Sequence, residues 1–152
     1  MQKTKRVHFF TAFTSLTAIL FASCQSNYSV TPSQPTEAAL VANSFENGLS
    51  TELDINYQKA YANLKKAYGR CIAFTADHEF VFTDNRYEPH LEMGTLFARS
   101  EDGVYLHKAT IEGIEDNKTR FTLFLPANYS FAKSRFKQDV KRVLGQDTEC
   151  NI

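Results

Sequence analysis

The spacing of apolar residues changes twice along this chain of 152 residues, and those changes constrain its fold more than any other feature. Between Asp54 and Cys71 the apolar residues recur every three or four positions, which predicts an amphipathic helix. Its expected N-cap is Asp54 and its expected stop is Gly69. The apolar stripe consists of Tyr57, Ala60, Tyr61, Leu64, Ala67, Tyr68 and Cys71.

The middle of the chain changes to the pattern of β-strands. Four strand-length segments rich in Ile, Phe, Val and Thr cover residues 71–84, 91–100, 103–114 and 118–127. Turn residues separate the later segments at 101–103 and 115–117. Phe121, Leu123 and Leu125 alternate with less apolar positions, as in a sheet with one covered face. Because short turns join antiparallel neighbours, the segments predict an antiparallel meander of about four strands.

The C-terminal part returns to helical spacing. Ser130 is the expected N-cap and Gly145 the expected stop. The stripe consists of Phe131, Ala132, Phe136, Val140, Val143 and Leu144. The sequence therefore predicts an α+β domain in which an N-terminal and a C-terminal amphipathic helix flank the meander and lie on one face of it.

The N-terminus has the layout of an export signal. Lys3, Lys5 and Arg6 come first, and residues 9–22 are then largely apolar. This apolar segment of about 14 residues is shorter than the roughly 20 that a transmembrane helix needs. We therefore expect a signal peptide rather than a permanent transmembrane anchor.

The end of this segment, Leu20-Phe21-Ala22-Ser23-Cys24, resembles the lipobox of bacterial lipoproteins. The resemblance implies that residues 1–23 are removed and that Cys24 carries the lipid, including palmitate, that anchors the chain to a membrane. Gln25, rather than aspartate, follows the cysteine, which for this family implies the outer membrane, facing the periplasm. An ordinary secretory signal with an incidental cysteine is the alternative.

Residues 24–50 then form the lipidated cysteine and a predicted flexible tether, and residues 51–152 form a single domain. The tether is rich in Ser, Thr, Pro, Gln and Asn, and as a coil it would span on the order of 27 Å. Residues 37–45 within it can form one or two helical turns. Signal removal leaves 14 basic and 17 acidic residues. That balance does not favour nucleic acid as a partner.

Two cysteines remain after lipidation, Cys71 and Cys150. An even number of cysteines in an exported protein favours a disulfide, which would pin the C-terminal tail to the start of the sheet and close the fold. The alternative is two free thiols.

Three histidines remain in the mature chain: His78, His90 and His107. None is spaced for a shared helical metal site, and the chain lacks the common nucleophile, phosphate-loop and zinc-protease motifs. We expect no catalytic residue, metal or cofactor, and solvated histidines. An enzyme would require these histidines to converge with a carboxylate in a cleft.

Two features are typical of recognition. The last predicted helix carries five basic residues: Lys133, Arg135, Lys137, Lys141 and Arg142. Near a membrane such a face can bind lipid phosphates or an acidic partner, although it can also be a simple solvated surface. Tyr105 and Phe124 are expected on the sheet face opposite the core, as an exposed aromatic patch or as additional core.

The sequence thus predicts a lipid-anchored envelope lipoprotein acting as a non-catalytic interaction or accessory module in cell-envelope assembly or maintenance, with an envelope protein as partner. The alternative is a binding module for a small apolar or anionic envelope ligand.

Overall fold

The computed structural model describes residues 34–71 and 82–147. Three helices occur in this part of the chain: α1 (Glu37–Ala42), α2 (Tyr57–Cys71) and α3 (Ala132–Val143). The strands are β1 (Leu49–Leu53), β2 (Phe82–Glu88), β3 (Met93–Arg99), β4 (Tyr105–Glu115) and β5 (Lys118–Phe124). Short 3₁₀ turns occupy Phe45–Asn47 and Pro89–Leu91. All strand pairs are antiparallel, in the order β1-β5-β4-β3-β2, which confirms the α+β class.

The predicted meander is present, because β2, β3, β4 and β5 pair in chain order. Its first strand is displaced from the prediction. Cys71 is the last residue of α2, and β2 runs from Phe82 to Glu88, whereas a strand was expected over 71–84. Residues 72–81 lie outside the described part of the chain.

The sheet has five strands rather than four, because Leu49–Leu53 pairs with β5 along its outer edge. This strand crosses the predicted boundary between tether and domain at residue 51. Its sequence, LSTEL, has only two apolar residues, so its local signal is weak. It forms because β5 offers an unpaired row of backbone groups that a short extended segment can satisfy.

The core lies between one face of the sheet and the helices α2 and α3. Ala109, Ile111, Phe121 and Leu123 are fully buried on that face, in agreement with the predicted alternation. From α3, Phe136 stacks on Phe121 with ring centroids 5.6 Å apart. Burial of such side chains contributes on the order of 1.5–3 kcal/mol each to the free energy of unfolding.

The apolar stripe of α2 is buried as predicted, but both ends of the helix differ from the prediction. Asn56, not Asp54, caps the helix, because its side-chain oxygen accepts a hydrogen bond from the backbone N–H of Gln58 at 2.9 Å. Gly69 lies inside the helix, which continues to Cys71. A single glycine lowers helix stability without ending a helix whose stripe is packed on a sheet.

The folded region begins well before residue 51. Gln34 pairs with Tyr105, Thr36 caps α1 through a 3.1 Å hydrogen bond to the N–H of Ala39, and Leu40 is fully buried. We call residues 34–48 the N-terminal segment. Because the second face of the sheet carries Phe97, which is 1% exposed, this segment acts as a cover over part of that face. The region predicted as tether, residues 24–50, therefore contains folded structure from residue 34 onward, and residues 24–33 lie outside the described part of the chain.

The last helix starts at Ala132, two residues after the predicted Ser130 cap. Phe131 was expected in its apolar stripe but is 67% exposed, since it precedes the helix and is not held on its buried side. The predicted stop is confirmed: Gly145 adopts φ +75°, and its N–H donates to the carbonyl of Arg142. With the bond from Gln146 N–H to Lys141 C=O, this is a Schellman cap.

Candidate functional site

A buried network of polar side chains lies between α2 and α3, with Asp139 at its centre. Asp139 is fully buried. Its Oδ2 accepts hydrogen bonds from Tyr68 Oη at 2.7 Å and Arg135 Nε at 3.0 Å, and its Oδ1 accepts one from Arg142 Nη1 at 2.9 Å. Arg142 Nε lies 3.3 Å from Asp147 Oδ2. We call Tyr68, Arg135, Asp139 and Arg142 the Asp139 network.

The local sequence places these groups together. Arg135, Asp139 and Arg142 are four and three residues apart, so they share one side of α3. Tyr68 comes from the buried stripe of α2, where its ring contributes to the core and its hydroxyl reaches the carboxylate. His107 enters from β4 and contacts the Tyr68 ring edge-on, with centroids 5.1 Å apart.

The protonation of these groups follows from burial. Burial raises the pKa of Tyr68 well above its ordinary value, and the nearby Asp139 raises it further, so the phenol stays a donor. Burial also lowers the pKa of His107 well below 6.5, assisted by the positive charges of Arg135 and Arg142. Burial lowers the pKa of Arg135, but attraction to Asp139 outweighs it and the net shift is upward. His107 is therefore neutral beside two permanent cations.

This arrangement is a packing device rather than a set of solvent-accessible reactive groups. Two arginines face Asp139 and Asp147, so the charges balance. Within residues 34–71 and 82–147, His107 Nε2 and Arg142 Nε are buried atoms without a hydrogen-bond partner. A buried ion pair adds little net stability compared with an apolar replacement, but loss of one member leaves an uncompensated charge. The network therefore fixes how α3 sits on α2 and the sheet.

The structure does not bring together the five cations predicted as one basic face of α3. Arg135 and Arg142 point inward to Asp139. Lys133 pairs with Glu46 of the N-terminal segment at 2.8 Å. Only Lys137 and Lys141 remain exposed and without an ion pair to any acid in the described residues.

Two other cations join them from α2. One cleft of about 80 Å³ lies between the C-terminal halves of α2 and α3 and is lined by Asn63, Lys66, Ala67, Arg70, Arg142, Gly145 and Asp147. An adjoining cleft of about 420 Å³ is lined by Ser134, Lys137, Gln138, Lys141, Gln146 and Asp147. Because Asp147 borders both, the exposed Lys66, Arg70, Lys137 and Lys141 surround one region, which we call the basic rim.

Sequence reasoning missed the α2 half of this rim. Neither Lys66 nor Arg70 is among the recognition residues predicted from the sequence. The Asp139 network had a signal that was overlooked, since Arg135, Asp139 and Arg142 follow the ion-pair spacing of a helix. No local pattern indicates that Tyr68 is their partner, because a tyrosine in an apolar stripe is normally interpreted as a core residue.

Tyr105 and Phe124 lie on the face opposite the core, as predicted, but the N-terminal segment covers them in part. Both side chains are half-buried. Tyr105 contacts Phe97 edge-on at 5.5 Å between centroids, and Lys108 Nζ lies 5.5 Å from the Phe124 ring. The absent side chain of Gly48 leaves room for the Phe124 ring. They therefore form a second packing cluster rather than an open patch.

The histidines are placed apart where the structure describes them. His90 is exposed in a 3₁₀ turn, and His107 is buried in β4 rather than solvated. His78 lies outside the described residues. In residues 34–71 and 82–147, no three His, Cys, Asp or Glu side chains are grouped so that they could hold a metal ion. The same part of the chain contains no helix that combines the length and the apolar character needed to span a bilayer.

Replacement of Asp139 by Asn tests the network. Asp139→Asn should lower the free energy of unfolding by about 3–5 kcal/mol, because two buried arginines lose their carboxylate. The exposed Asp84→Asn, which breaks a surface pair with Arg99, should cost at most about 1 kcal/mol. Urea unfolding followed by circular dichroism measures both. Tyr68→Phe, with an expected cost of about 1–3 kcal/mol, covers the case in which Asp139→Asn does not fold. Equal effects of the two aspartate changes would contradict this role.

The stability of the domain should depend on His107 as pH falls. The pKa of His107 in the folded protein lies below its value of 6.5 in the unfolded chain. Below pH 6.5 the unfolded chain therefore takes up a proton that the folded protein does not. The contribution of neutral His107 to the free energy of unfolding is thus present above pH 6.5 and is lost as the pH falls below it. Between pH 7.5 and 5.0 the wild type should lose more of its free energy of unfolding than His107→Gln, because only the wild type carries this buried imidazole. The facing groups, Tyr68 from α2 and the two arginines from α3, are common to both proteins.

The matched control for this pH experiment is His90→Gln at the exposed histidine. It should keep the full wild-type loss in urea unfolding at the two pH values. Identical pH profiles for His107→Gln and wild type would show that His107 is not the group responsible.

No protein-family model matches the chain, and a search of curated proteins finds no significant match.

Proposed function

We propose that this chain is a lipid-anchored module of the bacterial cell envelope whose domain binds an anionic partner rather than transforming a substrate. Its place in the envelope is supported by the junction Leu20 to Cys24, where two small residues precede the cysteine. Its role would be that of an accessory in envelope assembly or maintenance, on the outer membrane facing the periplasm.

The basic rim is the observation that carries the binding role. Most other surface cations of the described residues pair with acids, including Arg86 with Glu37 and Arg99 with Asp84. The four rim cations make no such pair within residues 34–71 and 82–147. Lys137 and Lys141 are one turn apart on α3, a spacing at which like charges repel. A chain that carries 14 basic and 17 acidic residues after signal removal and keeps such a cluster unpaired has a surface suited to an anion.

The disulfide between Cys71 and Cys150 belongs to the same proposal. Cys71 ends α2, next to the rim residue Arg70, and Cys150 lies outside the described residues. A bond between them would close a loop of about 80 residues and stabilise the fold by up to about 4.5 kcal/mol in the chain-entropy model. It would also hold the end of the chain beside the rim.

The three cysteines should behave differently. In cells given labelled palmitate, the wild type and Cys71→Ala should take up label, whereas Cys24→Ala should not and should remain an uncleaved precursor. In the mature protein, Cys71 and Cys150 should resist alkylation under denaturing conditions until a reductant is added. Label retained by Cys24→Ala would refute the anchor, and full alkylation without reductant would refute the disulfide.

Crosslinking from the rim tests the binding role. A photoreactive residue at Gln146, between the two halves of the rim, should capture a component of the envelope in intact cells, and added salt should reduce the yield because exposed charges are screened. The same group at Asp116, in the β4–β5 turn, is the control and should capture much less. Equal yields at both positions would argue against the rim as a binding surface.

A further inference from the structure

The buried groups beneath the basic rim do not neutralise its positive charges. The Asp139 network and Asp147 together contain two arginines and two aspartates, so the layer under the rim is neutral. Asp147 is the single carboxylate among the described residues that line the two clefts. Lys66, Arg70, Lys137 and Lys141 therefore present a net positive surface that extends across two helices.

The length of chain before the domain restricts what this surface can meet. Ten peptide units separate Cys24 from Gln34, where the described fold begins, and they reach at most about 35 Å. A domain of this size has a radius of gyration of about 13–14 Å. If Cys24 carries lipid, the domain thus stays within roughly its own diameter of the bilayer, where headgroup phosphates are the anions at highest local concentration.

We propose that the basic rim docks on the anionic phospholipid surface to which the chain is anchored. Clustered lysine and arginine side chains bind such surfaces, and each cation makes an approximately additive contribution to the binding free energy. This contribution becomes smaller as the salt concentration rises. The half-exposed clefts between the cations leave room for headgroup phosphates beside Lys66 and Arg70 on one side and Lys137 and Lys141 on the other. This inference rests on the proposed lipid anchor and adds the orientation of the domain: α2 and α3 toward the membrane, the N-terminal segment away from the rim.

The experiment is an amine-acylation footprint of the full mature chain on vesicles, read by mass spectrometry. On vesicles containing phosphatidylglycerol, acylation of Lys66, Lys137 and Lys141 should slow about tenfold relative to vesicles of phosphatidylcholine alone. High salt should remove the difference. Lys118, the first residue of β5 and paired with Glu115, is the internal control and should react equally on both.

A variant makes the footprint specific to the rim. Lys137→Gln with Lys141→Gln should remove most of the protection of Lys66, whereas Lys118→Gln should leave it intact. Both variants should keep the wild-type circular dichroism spectrum, since these side chains are exposed. If the double variant does not fold, Lys66→Gln alone provides the same comparison at Lys137.

The footprint tests membrane docking, and palmitate labelling tests the lipid anchor, so the two can fail independently. Equal acylation on the two vesicle types would overturn docking, even if palmitate labelling shows that Cys24 is lipidated. Protection in intact cells but not on phosphatidylglycerol vesicles would also overturn it and would indicate an acidic protein partner. The footprint remains readable when the chain is added to vesicles without its lipid, so failure of the anchor is scored by palmitate labelling alone.

Discussion

A single buried carboxylate, Asp139, determines how the helical layer of this domain is arranged. Its two oxygens accept hydrogen bonds from one tyrosine of α2 and two arginines of α3. Because a buried charge is costly without partners, a rotation or shift of α3 that breaks these hydrogen bonds would leave Asp139 or its arginines uncompensated. The network thus opposes displacement of α3, while the apolar contacts of the core contribute the burial that stabilises the fold.

This constraint has a consequence for the surface. With Arg135 and Arg142 turned inward, the outer side of α3 keeps Lys137 and Lys141, and its C-terminal turn lies beside Lys66 and Arg70 of α2. The basic rim is thus a product of the packing and not of α3 alone. On the other side of the sheet, the N-terminal segment covers part of the second face. There Glu37 forms ion pairs with Lys108 and Arg86. Burial raises the pKa of Glu37, but its hydrogen bonds to these two cations outweigh that effect and lower it overall.

Prediction from the sequence succeeded where one local period extends over many residues. The stripe of α2 and the alternation in β5 are of this kind, because each has a long run of apolar residues facing one core. It failed for β1, whose five residues are too short and polar to be recognised without a partner. That partner, the free edge of β5, exists only after the meander has formed. The one or two helical turns expected within residues 37–45 are present as α1, but the packing of α1 on the second face of the sheet was not predicted. The cap of α2 was misplaced by two residues because Asp54 and Asn56 are both good capping residues and local sequence does not distinguish them.

The sequence by itself determined the α+β class, the two amphipathic helices and the antiparallel meander, since each depends on composition and spacing within a short stretch. Only the tertiary structure decided which charges are buried and which remain at the surface. Arg135 and Lys137 are two residues apart on the same helix, yet one binds Asp139 inside the protein and the other stands on the rim. The physical reason is that the fate of a charged side chain depends on what packs against its side of the helix, and for α3 that is set by residues as distant in sequence as Tyr68.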